Sequence, residues 1–294
     1  MKYAITGNLD KPGLREAVAE LIRMLERAGA EYIVDGRIAS LLGAEMQRTL
    51  AANSRDVQQM VTEAGILVAY GGDGTILNAA RLVGSKGTPI LGVNLGKLGF
   101  LAEFGPEEME KAINDIDANR YMVEERLVLS ARSTGIGDSV FYAVNDVVVD
   151  KSRSSRVIDV EMHINGHFAV TYRGDGVIVS TPTGSTAYAL SNGGPIVIPT
   201  SNVIGITPIS PHTLNGRPLI VPDASLIRLI VREGAEEVLF SADGQREGLL
   251  KPPAEVLVQK APYVLRLVKR IDRSYFDVLR AKLFWGQDAR AIRE

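Results

Sequence analysis

Ile66-Leu67-Val68-Ala69-Tyr70-Gly71-Gly72-Asp73-Gly74-Thr75-Ile76-Leu77 decides the fold. Its first five residues are continuously apolar, as expected of a parallel strand covered on both faces. The glycine pair stops that strand, and Ile76, Ala79, Ala80 and Val83 continue at helical spacing. Upstream, Lys2–Thr6 is a short strand stopped by Gly7. Leu14, Ala17, Val18, Leu21, Ile22 and Leu25 form one helical stripe, and Tyr32–Val34 is a second strand. Downstream, Pro89–Val93 is the next strand, and Pro106–Asp117 is a helix with proline in its first turn. This βαβα order predicts an α/β domain over residues 1–120, with an open, mostly parallel, Rossmann-like sheet.

From about Tyr121 the texture changes. Ile158, Val160, Met162 and Ile164 alternate with Asp159, Glu161 and His163, the period-two pattern of a half-buried strand. Strand-like runs follow at His167–Tyr172, Val177–Ser180, Val203–Ile209, Leu226–Val231, Val238–Phe240, Val256–Val258 and Val264–Val268. They predict an all-β C-terminal domain over residues 121–270. Ser274–Phe284 reads as a helix, and the tail 271–294 is expected to return to the first domain.

The 294 residues carry 33 Lys+Arg against 35 Asp+Glu and no cysteine. That balance excludes a strongly basic nucleic-acid binder. Without cysteine there are no disulfides, thiolate zinc sites or cysteine nucleophiles. No apolar run is long enough to span a membrane and no secretory leader is visible, so a cytoplasmic protein is expected.

Glycines at a strand-to-helix turn let backbone N–H groups approach phosphate oxygens, and the helix N-terminus adds partial positive charge. Gly71, Gly72, Gly74 and Thr75 are the candidate phosphate-binding residues. Asp73 in that setting can accept a proton from a hydroxyl or hold a magnesium ion; the plainer alternative is a helix cap. Other nucleotide and hydrolase signatures fail. There is no Gly-x4-Gly-Lys-Ser/Thr, Leu77 takes the third glycine place of a dinucleotide fingerprint, and no histidine lies in His-Arg-Asp or His-Glu-x-x-His. His163 and His167 read as solvated strand residues.

Ser180-Thr181-Pro182-Thr183-Gly184-Ser185-Thr186-Ala187-Tyr188-Ala189-Leu190-Ser191-Asn192-Gly193-Gly194-Pro195 is rich in hydroxyls and ends in a helix stop. It can offer neutral hydrogen bonds to sugar, adenine or phosphate, with Tyr188, Ala189 and Leu190 as an apolar anchor. Asn145-Asp146, Arg173-Gly174-Asp175-Gly176 and Asp243-Gly244-Gln245 supply acidic groups suited to ribose hydroxyls. Asp175-Gly176 and Asp243-Gly244 are equally good hairpin turns.

Taken with Asn94-Leu95-Gly96-Lys97-Leu98-Gly99-Phe100-Leu101 and Pro208-Ile209-Ser210-Pro211-His212, these motifs resemble the NAD kinase family in kind and order over most of the chain. The resemblance implies ATP-dependent phosphorylation of the 2′-hydroxyl on the adenosine ribose of NAD, giving NADP. It implies Mg2+, or another divalent metal, carried mainly by ATP, with NAD as substrate rather than cofactor. By motif, Asp73 becomes the base and Gly74 lies beside the substrate. Asn145, Asp146, Arg156, Arg173, Asp175, Thr186, Ala187, Tyr188, Ala189, Leu190, Ser191 and Gln245 become NAD-binding residues, and Phe100 borders the pocket. Asp146 stands where the family commonly has glutamate, which keeps the charge on a shorter arm. Arginine rather than glycine at the place of Arg173 implies preference for NAD over NADH. A homodimer or homotetramer is implied, with neither nucleic acid nor membrane as partner. A lipid or sugar kinase sharing the Gly-Gly-Asp-Gly core, and a dinucleotide-binding regulator without catalysis, are the alternatives.

Overall fold

The computed structural model describes residues 1–284 apart from Lys97, Asp138, Leu214 and residues 233–235. Lys97 of the Asn94–Leu101 motif, and residues 285–294 of the expected returning tail, therefore lie outside the described residues. The chain forms two compact units, Met1–Glu125 together with the chain from Leu265 onward, and Arg126–Val264.

The elements run β1 (Lys2–Gly7), α1 (Leu14–Arg27), β2 (Glu31–Asp35), α2 (Gly36–Ala39), α3 (Ala44–Leu50), β3 (Ser54–Arg55), α4 (Val57–Glu63), β4 (Ile66–Gly71), α5 (Asp73–Val83), β5 (Ile90–Asn94), α6 (Met109–Asp117) and β6 (Met122–Arg126). The second unit holds β7 (Leu129–Ser133), β8 (Phe141–Ala143), β9 (Asp146–Asp150), β10 (Ile158–Ile164), β11 (His167–Gly174), β12 (Gly176–Ser180), α7 (Tyr188–Ser191), β13 (Val203–Ile209), β14 (Leu219–Pro222), β15 (Ile227–Val231), β16 (Val238–Ala242), β17 (Arg246–Leu250) and β18 (Ala254–Lys260). Then β19 (Leu265–Lys269) and α8 (Tyr275–Leu283) complete the first unit.

The first unit is built on a seven-stranded sheet of order β3-β2-β1-β4-β5-β19-β6. The pairs β1–β2, β1–β4, β4–β5 and β5–β19 are parallel. The chain winds outward from β1 to β3, then resumes on the other side of β1 with β4. In such sheets ligands bind at the carboxyl ends of the strands where the winding reverses. Those ends are Gly7 and Gly71. Every residue of β4 is buried, which explains its unbroken apolar sequence. The stripe of α1 buries Leu14, Val18, Leu21, Ile22 and Leu25, each contributing about 1.5–3 kcal/mol of transfer free energy.

The second unit is a sandwich of two six-stranded sheets, ordered β11-β10-β15-β18-β7-β8 and β14-β13-β12-β9-β16-β17. Ile158, Val160 and Met162 from one sheet share a core with Val147, Val149, Val177 and Val179 from the other. Asp159 faces outward between them, as the alternation predicts.

The run expected at Val264–Val268 is β19, and it enters the first sheet rather than the sandwich. Leu265, Leu267, Val268 and Lys269 are all buried there, the mark of a strand covered on both faces. The helix from Pro106 opens as a single 3-10 turn, Pro106–Glu108, before α6 begins. Among the described residues no helix is long and apolar enough to cross a membrane.

Candidate active site

In the first unit, β4 delivers Gly71 and Gly72 to the carboxyl edge of the sheet, and Asp73 is the first residue of α5. Asp73 is not the helix cap; Gly72 occupies that position, and its carbonyl accepts the N–H of Thr75 at 2.9 Å and of Ile76 at 3.2 Å. The Asp73 carboxylate instead grips a neighbouring loop. Its Oδ2 accepts the N–H of Phe100 at 2.9 Å, and its Oδ1 accepts those of Leu101 at 3.0 Å and Ala102 at 3.3 Å. Gly99 permits this approach, since a Cβ there would collide with the same carboxylate. A carboxylate oxygen can accept about two hydrogen bonds, so these amides occupy both sites of Oδ1 and one of Oδ2. Gly74 is exposed beside it and Thr75 is half-buried. The loop is held at its base by Asn94 at the end of β5, whose side chain accepts the N–H of Gly96 at 2.9 Å. The Phe100 ring faces the Lys282 ammonium at 5.9 Å.

In the second unit, Asp243 repeats the device. It sits in the β16–β17 turn with a φ of 55°, a left-handed conformation that aspartate tolerates better than most residues. Its Oδ2 accepts the N–H of Val144 at 2.9 Å, and its Oδ1 those of Asn145 at 2.7 Å and Asp146 at 3.2 Å. The hydroxyl-rich segment closes on the same three residues. Thr181 Oγ1 donates to the Val144 carbonyl at 2.6 Å, and Thr181 N–H donates to the Asn145 carbonyl at 2.8 Å. Gly184 lies so close to the Asn145 carbonyl that no Cβ would fit. Asn145, Asp146, the start of the Thr186–Ser191 segment and Gln245 are thus tied to one end of β9 and β12.

Asp146 is only 5% exposed. Burial first, and the charge of Asp243 second, push its carboxyl up to about 7. Burial also raises Asp243, against the three amides that favour its ionised form. Ala189 anchors its segment by packing with Val148, Ile178 and Ile209. Tyr188, expected to share in that anchor, is 45% exposed, because four residues of helix turn only one side inward. Gly193 and Gly194 donate to the Leu190 and Ala189 carbonyls at 3.1 and 2.9 Å and stop the helix.

Arg156, Arg173 and Asp175 fall elsewhere. Asp175 lies between β11 and β12 and pairs with Lys151 at 2.8 Å. Arg173 is exposed, 4.0 Å from Asp159, and Arg156 belongs to the exposed loop after Lys151. These residues sit at the opposite end of β12 from Thr181, and the strand between, five residues long, spans roughly 17 Å. His163 Nε2 meets Glu161 at 2.6 Å, and among the described residues no three Asp, Glu or His side chains converge to hold a metal.

Residues 4–121 match the ATP-NAD kinase N-terminal domain, and residues 144–270 match the ATP-NAD kinase C-terminal domain. The chain belongs to the ATP-NAD kinase family. It is 41% identical to an NAD kinase of Bacteroides fragilis over 292 residues, 99% of this chain and 100% of that protein. It is 39% identical to an NAD kinase of Geobacter sulfurreducens over 288 residues, 97% of this chain and 99% of the other. Among solved structures it resembles yeast NADH kinase complexed with NADH, with a TM-score of 0.88 at 28% identity, over 98% of this chain and 89% of that one. It shares its fold with an NAD kinase from Archaeoglobus fulgidus in complex with ATP, with a TM-score of 0.73 at 24% identity, over 96% of this chain and 98% of that one.

In this member of the ATP-NAD kinase family, the structure also gives contacts around the candidate site that the sequence left open. Asp243 reads in the sequence both as a carboxylate for ribose hydroxyls and as a hairpin turn; the turn is present, and its carboxylate is taken up by the three backbone amides of residues 144–146. Glu103 and Lys269 are buried and paired. The available signal was a lone charge inside the apolar run Leu101–Phe104 and a lysine closing the run Leu265–Lys269, whose other charge, Arg266, is exposed.

Proposed function

We propose that this chain is an NAD kinase in which Asp73 orients the 2′-hydroxyl of the adenosine ribose of NAD for in-line attack on the γ-phosphorus of ATP and accepts its proton, as the bond to the departing ADP breaks and NADP forms. The enzyme class follows from membership of the family across both domains. The observation that carries the role of Asp73 is its place on the glycine turn at the carboxyl edge of the sheet, with an acceptor site left on Oδ2. Phosphoryl transfer depends mainly on positioning and charge stabilisation, which a fixed acceptor and glycine-turn amides supply. A divalent cation such as Mg2+, carried by the triphosphate, would supply charge neutralisation there.

Asn145, Asp146 and the Thr186–Ser191 segment, with Gln245, are the proposed contacts to NAD. Arg156, Arg173 and Asp175 are too far along β12 to share one ribose with them, which supports a homodimer or homotetramer in which a second copy contributes. A cytoplasmic enzyme, with neither nucleic acid nor membrane as partner, is part of the same reading.

Incubation with ATP, Mg2+ and NAD, scored for NADP, tests it. Asp73→Asn keeps the shape but replaces one oxygen with a donor. It is expected to lower kcat by at least about 100-fold with NAD binding retained. An unchanged kcat removes Asp73 from the reaction, and tight NAD binding without NADP formation makes the protein a dinucleotide-binding regulator.

A further inference from the structure

The loop that Asp73 grips is also held from behind. Glu103 directly follows Ala102, is 3% exposed, and pairs through Oε1 with the ammonium of Lys269, itself 7% exposed. The Glu103 carbonyl accepts Arg273 Nη1 at 3.0 Å. One residue further, Phe104 is tied into β5: its carbonyl accepts the Asn94 N–H at 2.8 Å. Lys269 ends β19, two strands from β4, so it stands at the same carboxyl edge as Gly71 and Asn94.

A buried ion pair seldom adds net stability over a packed apolar pair, because both charges must be desolvated. What such a pair fixes is geometry. Here it fixes the peptide that follows the three amides bound to Asp73.

We propose that Lys269 and Arg273 are positioning residues for phosphoryl transfer: by fixing Glu103 they hold the amides of residues 100–102 on the Asp73 carboxylate. The inference rests on the NAD kinase reading above for its kinetic consequence, and on geometry alone for its structural one. If the amides drift, the carboxylate turns to follow them and its remaining acceptor site leaves the line of attack.

The test is Lys269→Met in the full chain, with two readouts. In kinetics, kcat is expected to fall about 10- to 100-fold with the KM for NAD little changed, and Lys269→Arg is expected to recover most of the loss. In an Asp73→Asn background the same change should cost little more, because both act through one carboxylate. In amide hydrogen exchange, residues 100–102 should exchange at least about tenfold faster, with Val68 in β4 unaffected.

Wild-type kcat in folded Lys269→Met, or the same fold-loss in both backgrounds, overturns the proposal. So does unchanged exchange at residues 100–102, whatever chemistry the chain performs. A wild-type chain that forms no NADP defeats the NAD kinase reading instead, and the exchange measurement still decides the positioning role. Should Lys269→Met not fold, the double change Glu103→Gln with Lys269→Met removes both charges together and is read by the same outcomes.

Discussion

Asp73 and Asp243 perform one structural act in two different settings. Each carboxylate takes one backbone N–H on Oδ2 and the next two on Oδ1, from three consecutive residues of a distant segment. Asp73 binds an irregular loop from a helix N-terminus, whereas Asp243 binds the approach to a core strand from a hairpin turn. The first arrangement leaves its carboxylate beside an exposed glycine; in the second, the residues that donate to the carboxylate are themselves bound by Thr181 and abutted by Gly184. The lesson is that the same three bonds hold a carboxylate at the accessible edge of one unit and brace a buried strand end in the other.

Two glycines break that comparison most sharply. Gly184→Ala forces a Cβ onto the Asn145 backbone, which cannot step aside without pulling β9. It is expected to destabilise the chain by about 2–4 kcal/mol, seen as a lower urea midpoint and Tm. Gly99→Ala collides with the Asp73 carboxylate, the end of a short side chain. Its cost in stability should be under about 1.5 kcal/mol, while kcat falls at least about tenfold. Equal stability losses would show that the two clamps are alike in rigidity after all.

A smaller effect concerns charge. Burial, then the Asp243 charge, holds the folded Asp146 carboxyl at about 7, against about 3.9 in an unfolded chain. Between those values the folded chain keeps a proton that the unfolded chain has lost. Asp146 therefore costs no stability below about pH 4, and stability falls as pH rises toward 7. Asp146→Asn should flatten most of this decline, worth about 1–4 kcal/mol in total, in urea midpoints taken from pH 5 to 8. A slope unchanged by the substitution would mean the carboxyl is already ionised in the fold.

These settings also explain what the sequence disclosed. The first sheet was legible because β4 and α1 have strong, simple periods, and the sandwich because Ile158–Ile164 alternates cleanly. The short helices α3 and α4 were missed since each buries one to two residues, too few to set a period. The last strand was misplaced because an apolar run says that a strand is covered, not by which sheet. Within the candidate site, the positions of Asp73, Asn145 and Asp146 were legible as polar residues at the ends of apolar strands. Glu103, Lys269 and the grip of Asp243 were not, because each is defined by a partner between 97 and 166 positions away.

The smallest expected change in stability is also the cleanest test of the far cluster. Arg173 is 63% exposed along its side chain and its ion pair with Asp159 spans 4.0 Å. Exposed pairs of that kind contribute about 0–1 kcal/mol, so Arg173→Gly should leave Tm within about 2 °C. If the arginine engages the dinucleotide, its loss must show in the substrates alone, as a higher KM for NAD and a narrowed preference for NAD over NADH. Because the residue contributes so little to the fold, a kinetic change here cannot be blamed on unfolding, as it can at Gly184. Unchanged kinetics with both nucleotides would confine NAD recognition to the Asn145, Thr186–Ser191 and Gln245 end of β12.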